Sequence, residues 1–344
     1  MHYVKGRERR KPALGCIQAL GSYLPSVILA NSDLAAAFDV SEDWIFSRTG
    51  IRERRLAAPG QYTSDLAVEA AKAAFERGGI SAAEITHLLL ATCTPDGLVP
   101  STACILAGRL GIASIPAFDF NAACTGFLYG LHLGAAILRL EPAAKILLVA
   151  AETMSSLCDP GERNISILFG DGASAVVLGN TLRPGLVLED ILLASDGAQG
   201  HLLTADGGGC RAAYASPESR VGEAYFLRMQ GREVFKHAVR RMGEACENLL
   251  LRNGLTRDDI DLFVPHQANL RIMEATGERL GLGAGKTVVD LEYTGNTSAA
   301  SIPLALCRAE REGRLKPGST VLLAGFGGGF TWGAALLRMA GNKA

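Results

Sequence analysis

The sequence lacks an excess of charge of either sign. Its 34 Lys and Arg residues nearly balance 35 Asp and Glu residues, for a formal net charge of −1. This balance gives no general basic field of the kind that nucleic-acid binding needs, so we expect no nucleic-acid partner. The chain is 344 residues long and 48% hydrophobic. It can therefore bury a large core, and we expect two domains or one duplicated unit.

Paired cysteine spacings are also absent. The eight cysteines show no CxxC pair and no regular interval, which argues against a disulfide framework and against a zinc site. We therefore predict no metal centre and a reducing, cytoplasmic compartment. The cysteines lie at positions 16, 93, 104, 124, 158, 210, 246 and 307.

The start of the chain lacks a long apolar run. A basic stretch, MHYVKGRERRKP, precedes an apolar segment that is interrupted by Gly15, Gly21 and Pro25. Neither a signal peptide nor a membrane span fits this pattern, so we expect no membrane partner and interpret the stretch as a solvated basic arm.

Short apolar runs alternate with stretches of helical periodicity, which predicts βα units around a parallel sheet. The pattern also repeats. Residues 79–92 read GISAAEITHLLLAT and residues 254–266 read GLTRDDIDLFVPH, and each has a cap, an acidic residue and then an apolar strand. We predict a duplicated α/β protein with halves at 1–190 and 191–344. The predicted strands include residues 13–20, 87–91, 116–120, 145–151, 287–291 and 320–324.

Cys124 occurs where a predicted strand passes directly into a predicted helix, in the stretch NAACTGF at residues 121–127. Unpaired amides and the helix dipole at such a position favour an anion, so the thiol is expected to be more acidic than a free one. Free cysteines are more often small buried apolar residues. We predict that Cys124 is a nucleophile.

Two further reactive residues fall at corresponding points of the second half. His266 ends a predicted strand in VPHQANLRI, and Asn296 precedes a predicted helix in GNTSAAS. Ligands gather beyond the carboxyl ends of strands in α/β sheets, so Cys124, His266 and Asn296 are expected at one face. The stretch GFGGGFTWG, at residues 325–333, lets backbone amides approach a substrate, and one of them could form an oxyanion hole with the Cys124 amide. Taken singly, His266 is as compatible with a core histidine and Asn296 with a helix cap.

Together with DWIFSRTGIRER (residues 43–54) and FGDGASAVVL (residues 169–178), these motifs closely resemble β-ketoacyl-acyl carrier protein synthase III over residues 13–339. The resemblance implies the thiolase fold, with two βαβαβαββ halves in a five-layered α-β-α-β-α core, and a homodimer. It implies condensation of an acyl-coenzyme A primer with malonyl-acyl carrier protein. Acyl-coenzyme A is then a substrate, and no separate cofactor is expected.

The same resemblance implies roles for individual residues. Cys124 accepts the acyl group, His266 and Asn296 promote decarboxylation, and the amides of Cys124 and Gly328 form the oxyanion hole. The residues implied for coenzyme A are Trp44 and Arg163, which hold the adenine, and Arg48, which meets a phosphate. Those implied for docking an acidic carrier protein are Lys236, Arg271 and Arg279.

The acyl pocket departs from the family pattern. Val99 stands where acetyl-selective relatives carry a large aromatic residue, and Cys93 also differs from the usual small polar run. We assign Val99, Cys93 and Phe169 to the pocket and predict that it accepts primers longer than acetyl, or branched ones.

Three other functions use the same residues. A related enzyme of a specialised polyketide or quinolone-like pathway could pass the acyl group to another acceptor. A Cys-His-Asn hydrolase of papain type has the same chain order but lacks a duplicated βα pattern. A non-catalytic scaffold of thiolase fold would have no need of three reactive residues.

Overall fold

The structure is a computed structural model that describes residues 13–181, 185–210 and 225–341. The basic stretch at residues 1–12 lies outside the described residues. Within them the β-strands are β1 (Gly15–Tyr23), β2 (Val27–Ala30), β3 (Glu53–Leu56), β4 (His87–Ala91), β5 (Ala117–Phe120), β6 (Ile146–Glu152), β7 (Gly172–Gly179), β8 (Leu186–Ser195), β9 (Leu203–Thr204), β10 (Arg228–Met229), β11 (Leu262–Pro265), β12 (Thr320–Gly327) and β13 (Thr331–Met339).

The α-helices lie between these strands along the chain. They are α1 (Asn31–Phe38), α2 (Glu42–Thr49), α3 (Thr63–Gly78), α4 (Thr102–Arg109), α5 (Gly126–Leu140), α6 (Arg163–Ser166), α7 (Gly231–Arg252), α8 (Leu270–Arg279) and α9 (Ser301–Arg311).

The main sheet contains two copies of one topology. Its order is β11-β12-β13-β8-β1-β7-β6-β4-β5, and the two halves join where β1 pairs with β8. In the first half the strands run β5-β4-β6-β7-β1. The second half repeats this order as β11-β12-β13-β8, with an isolated parallel bridge between Phe263 and Thr287 in place of the outermost strand. The predicted duplication is therefore present in the strand order.

The prediction of a strand at residues 287–291 is wrong beyond that bridge. The Val288 amide still donates to the Phe263 carbonyl, at 2.8 Å. Two residues later the Asp290 amide donates to Oε1 of Gln267 instead, at 2.7 Å. A side chain thus takes the hydrogen bond that the next step of a strand would need, and residues Leu291–Tyr293 form a 3-10 turn.

Strand alternation divides the core into layers. Leu88 and Leu90 of β4 pack under α3 and α4, whereas Leu89 between them packs toward α5 and α9. In the second half, Phe263 of β11 packs under α7 and α8, and Val264 faces the same central layer as Leu89. The result is a five-layered α-β-α-β-α core with α5 and α9 in the middle.

The segment Ala123–Leu140, which contains α5, is long and apolar enough by composition to cross a membrane. Half of its residues are buried inside the protein, and Phe127, Leu128 and Leu131 belong to the central core cluster. It is a core helix between two layers of strands. The predicted division between residues 190 and 191 falls inside β8 and stays a prediction.

Candidate active site

One cavity of about 180 Å³ brings the three predicted reactive residues together. Cys124 comes from the first half of the chain, and His266 and Asn296 come from the second. All three are largely buried, at 8%, 3% and 5% exposure. The other lining residues are Leu168, Phe169, Leu203, Met229, Gly231, Val234, Phe235, Ala238, Met242, Ala268, Asn269, Ile272, Phe326 and Gly327.

Cys124 lies in a short 3-10 turn, Ala123–Thr125, between β5 and α5. Oδ1 of Asn121 accepts a hydrogen bond from the Ala123 amide at 2.9 Å. Ala123 has a φ of 46°, a left-handed conformation that a residue with a side chain seldom adopts. The turn thus presents Cys124 to the cavity just before the regular helix begins.

The prediction that the Cys124 thiol is unusually acidic is wrong. The pKa of the thiol is raised to about 12, mainly by burial and to a smaller extent by the nearby carboxyl of Glu152. A hydrogen bond with the Ser298 hydroxyl acts in the opposite direction. Desolvation of the charged form therefore outweighs the favourable position at the start of the helix.

His266 follows β11, and its backbone amide donates to the Ala324 carbonyl of β12 at 2.7 Å. Its Nδ1 lies 2.6 Å from Oγ of Ser301, the first residue of α9. Burial lowers the pKa of the imidazole to about 3, because the charged form loses its contact with water. His266 is therefore neutral at physiological pH.

Asn296 is held by its backbone and by one side-chain atom. It forms a parallel bridge with Phe169, in which its amide donates to the Leu168 carbonyl at 2.8 Å and its carbonyl accepts from the Gly170 amide at 3.1 Å. Oδ1 of Asn296 accepts from the Ser298 amide at 2.9 Å. Since Oδ1 is used in this way, the side-chain N–H groups are what Asn296 offers to the cavity.

The glycine stretch after β12 packs directly on the Cys124 turn. A Cβ on Gly327 would lie 2.8 Å from the Cys124 amide nitrogen, so only glycine allows this approach. Oγ1 of Thr331 contacts the carbonyls of Ala122 (3.1 Å) and Gly328 (3.2 Å) and therefore ties the two segments together. The oxyanion role of the Gly328 amide stays a prediction.

The three residues predicted for coenzyme A lie in one cluster. The guanidinium carbon of Arg48 lies 4.1 Å from the centroid of the Trp44 ring, and that of Arg163 lies 4.7 Å from it. Nδ2 of Asn269, which lines the cavity, donates to the Arg48 carbonyl at 2.8 Å. The aromatic and cationic cluster therefore adjoins the cavity through a direct contact.

Comparisons with known proteins show the family of this chain. Family models described as 3-oxoacyl-[acyl-carrier-protein (ACP)] synthase III and its C-terminal part match residues 118–197 and 250–339. A β-ketoacyl-[acyl-carrier-protein] synthase III from Nitratidesulfovibrio vulgaris is 54% identical over 325 residues, which cover 94% of this chain and 98% of that protein. The chain belongs to the β-ketoacyl-acyl carrier protein synthase III family. It is accordingly an acyl-transferring condensing enzyme.

Solved structures of synthase III proteins share the fold. The protein from Aquifex aeolicus VF5 superposes with a TM-score of 0.87 at 38% identity, covering 94% of this chain and 99% of that one. The priming β-ketosynthase of the R1128 polyketide biosynthetic pathway superposes with a TM-score of 0.88 at 33% identity, covering 98% of this chain and all of that one. The predicted thiolase fold is confirmed.

The predicted acyl pocket of this synthase III chain is only partly assembled within one copy. Phe169 lines the cavity. The Cys93 thiol instead donates to Oε2 of Glu152 at 3.3 Å, and the residue packs with the cluster around Phe169. Val99 was expected in the pocket but is 89% exposed, because it lies at the surface of the loop between β4 and α4. Val99 does not line the cavity of its own chain, and its assignment to the acyl pocket stays a prediction.

The basic residues predicted for docking are all exposed. Lys236 and Arg271 are next in sequence to the cavity-lining residues Phe235 and Ile272. Lys236 pairs with Glu233 at 2.7 Å, and Arg279 pairs with Glu247 at 3.1 Å. Such exposed pairs reduce the net positive charge that an acidic partner meets. The docking role stays a prediction.

Two features of the site were not predicted from the sequence: the cavity wall that α7 forms and the contact that Ser301 makes. Val234, Ala238 and Met242 form one wall of the cavity, although their spacing indicates only a buried helix face. Ser301 lies at the end of the motif GNTSAAS, where a serine suggests helix capping. Its contact with His266 depends on a residue 35 positions away, which no local pattern reveals.

Proposed function

We propose that this chain condenses an acyl-coenzyme A primer with malonyl-acyl carrier protein through an acyl group on Cys124, as in the initiation of fatty acid synthesis. The observation that supports it most is the shared cavity. One buried thiol, one neutral imidazole and one amide side chain line the same apolar space, and they come from both halves of the duplication. Family membership supports the same reaction.

In the first step the Cys124 sulfur attacks the thioester carbonyl of the acyl-coenzyme A. Backbone amides of Cys124 and Gly328 would donate to the tetrahedral oxyanion. The bond to the coenzyme A sulfur then breaks, and the proton that Cys124 loses leaves with coenzyme A as its thiol. Because burial raises the pKa of the Cys124 thiol to about 12, the resting enzyme holds a protonated thiol.

In the second step the malonyl thioester loses carbon dioxide, and negative charge develops on its thioester oxygen. His266 and Asn296 are suited to stabilise this enolate by donating one N–H each. A neutral imidazole adds no positive charge that would hold the departing carboxylate, and the pKa of His266, lowered to about 3, keeps it neutral. The carbanion then attacks the acyl-Cys124 carbonyl, which releases the β-ketoacyl product and the Cys124 thiolate, and the thiolate takes up a proton from water.

Coenzyme A would enter past the cluster of Trp44, Arg48 and Arg163. An indole ring and planar guanidinium groups stack well on a purine base, and Arg48 can also meet a phosphate. The contact between Asn269 and Arg48 places this cluster beside the cavity, which runs toward Cys124. No separate cofactor enters the proposed reaction.

Mass spectrometry tests the proposal directly. After incubation with acyl-coenzyme A, we expect the mass of one acyl group on the peptide that contains Cys124. Malonyl-acyl carrier protein should discharge it with release of carbon dioxide. Absence of an adduct would support a scaffold, and rapid discharge by water would support a hydrolase. Trp44→Ala should raise KM for acyl-coenzyme A and leave KM for malonyl-acyl carrier protein unchanged.

We also propose a homodimer in which Val99 of one copy reaches the acyl pocket of the other. Leu98 and Val99 are 82% and 89% exposed, and β5 is an edge strand with the exposed apolar side chain Phe118. Exposed apolar residues beside an open strand edge are suited to pairing with a second copy. Sedimentation should give twice the chain mass, and Phe118→Lys should halve it. Val99→Phe should then lower acylation by octanoyl-coenzyme A more than by acetyl-coenzyme A.

A priming role in a specialised pathway is the second candidate. It is favoured by the similarity to the priming β-ketosynthase of the R1128 polyketide pathway. The higher identity to the synthase III of Nitratidesulfovibrio vulgaris favours fatty acid synthesis. Discharge of acyl-Cys124 by carrier proteins of the two pathways, compared in one assay, distinguishes them. We further propose a cytoplasmic location, since an acyl-coenzyme A and a carrier protein are both needed there.

A further inference from the structure

We propose that Ser301 is a positioning residue that fixes His266 in the tautomer with its proton on Nε2. This rests on the proposed role of His266 as a hydrogen-bond donor in decarboxylation. The proposal gives Ser301 a function in decarboxylation of the malonyl thioester and none in acylation of Cys124. The two residues come from different parts of the fold, since His266 directly follows β11 and Ser301 begins α9.

The hydrogen bonds around Ser301 determine the direction of the contact. Oγ of Ser301 lies 2.6 Å from Nδ1 of His266 and accepts from the Gln267 amide at 3.3 Å. A backbone N–H can only donate, so that contact uses a lone pair of the hydroxyl. The hydroxyl proton then remains for a second partner.

Nδ1 of His266 is the acceptor available to that proton. Among the described residues, Ser301 Oγ has hydrogen bonds only with His266 and the Gln267 amide. If Nδ1 carried the proton and donated, the Ser301 hydroxyl proton would be left without an acceptor at a site that is 1% exposed. An unsatisfied buried donor has lost its hydrogen bond to water without a replacement, which disfavours that arrangement. When Ser301 donates instead, all three groups are satisfied.

Nε2 then carries the imidazole proton on the side of the ring away from Ser301. Because His266 lines the cavity, this N–H is the group that the imidazole presents to a substrate. In this tautomer His266 donates a hydrogen bond and does not accept a proton from the Cys124 thiol. The proton on Cys124 must therefore leave with coenzyme A, as the balance of the first step allows.

The first half of the chain shows what the same position looks like without a histidine. Gly126 begins α5 as Ser301 begins α9, and Ala91 ends β4 at the position that corresponds to His266. A Cβ on Gly126 would lie 2.9 Å from the Cβ of Ala91. The helix start therefore carries a hydroxyl only in the half where an imidazole needs a partner.

The test combines NMR with the separated half-reactions. In protein labelled with ¹⁵N-histidine, long-range ¹H–¹⁵N spectra should show His266 protonated on Nε2 and bare on Nδ1, with His266→Gln used for assignment. Ser301→Ala should populate the other tautomer, and Ser301→Thr, which keeps a hydroxyl, should restore the original one. A wild-type ring protonated on Nδ1 would overturn the proposal, even if no variant folds.

The kinetic readout separates positioning from general loss of stability. Ser301→Ala should lower carbon dioxide release from malonyl-acyl carrier protein about tenfold, which equals the loss of roughly 1.4 kcal/mol. Acylation of Cys124 should change less than about twofold, well below that loss. The matched control is Ser174→Ala, which removes a buried hydroxyl that donates to the Gly21 carbonyl at 2.6 Å. Equal losses in both half-reactions, no loss, or the same loss in the control would contradict the proposal. Undiminished condensation by His266→Gln would instead contradict the proposed function.

Discussion

The turn that carries Cys124 and the turn that carries Asn296 are two versions of one structure. Asn121 and Asn296 each accept a hydrogen bond, at 2.9 Å, from the amide two residues later. Those later residues, Ala123 and Ser298, have φ values of 46° and 50°. A 3-10 turn and then a central helix follow in both halves. Each residue of the second turn lies 175 positions after its counterpart in the first.

The difference between the turns lies in their side chains. The first turn offers a thiol and has the small neighbours Ala91 and Gly126, whereas the second offers an amide and has His266 and Ser301. One backbone thus presents a thiol in one half and a set of polar hydrogen-bonding groups in the other. In the proposed function, the first turn serves acyl transfer and the second turn serves decarboxylation.

Removing the Cys124 thiol should show most clearly that the two turns serve different half-reactions. Cys124→Ala abolishes acyl transfer from acyl-coenzyme A, so condensation should fall by at least about 10³-fold, the scale seen when a covalent nucleophile is lost. The donors of the second turn remain, and carbon dioxide release from malonyl-acyl carrier protein should continue. Loss of both activities in a folded variant would show that the turns do not divide the reaction.

A matched pair of substitutions tests the two asparagines. Asp keeps the oxygen that accepts the amide hydrogen bond but cannot donate. Asn296→Asp should therefore reduce condensation about 10²-fold, a typical loss for one donor to a developing oxyanion. Asn121→Asp should leave condensation within about threefold, since only its oxygen is used, and a threefold change is well under 1 kcal/mol. Similar rates for the two variants would contradict the division of roles.

The pH dependence of alkylation tests the acidity of the Cys124 thiol in the first turn. With the pKa of Cys124 raised to about 12 by burial, only the small thiolate fraction reacts at neutral pH. Labelling of the Cys124 peptide by iodoacetamide should rise about tenfold per pH unit from pH 7 to 9. The exposed Cys104 provides an internal comparison in the same digest. A plateau below pH 7 at Cys124 would show that the helix start dominates over burial.

The stability of the second turn should depend on pH through His266. Its folded pKa of about 3 lies below the ordinary histidine pKa of 6.5, so the unfolded chain binds more protons between these two pH values. Its stabilising contribution is complete above pH 6.5 and decreases as the pH falls toward 3. Between pH 6.5 and 5.5 this group should cost about 1 kcal/mol of unfolding free energy. Urea unfolding of wild type and His266→Gln measures it, and equal slopes against pH would contradict the shift.

The sequence predicted the parts of this comparison that depend on local patterns. The repeated cap and apolar run at residues 79–92 and 254–266 indicated the duplication, and strand ends followed by polar residues indicated Cys124, His266 and Asn296. The burial of Cys124 could not be predicted from such local patterns. The position of Cys124 suggested an acidic thiol, but the surrounding layers remove its water and raise its pKa.

Contacts between distant residues were also beyond local patterns. Ser301 was visible only as a cap, because its partner His266 comes from another element. The strand at residues 287–291 was predicted too long. No pattern near these residues shows that the Asp290 amide donates its hydrogen bond to the Gln267 side chain. Val99 was assigned to a pocket by position, although its own chain leaves it at the surface.

The close contact at the start of α5 joins residues from both halves of the chain. A Cβ on Gly126 would lie 2.9 Å from that of Ala91 and 3.0 Å from that of Ala299, a residue of the other half. A larger side chain at any of these positions would push the Cys124 turn and the Asn296 turn apart. Added volume on either side of this contact therefore disturbs the turn of the other half as well. The sizes of these three residues constrain both turns at once, so the two halves are mechanically coupled although their reactive groups differ.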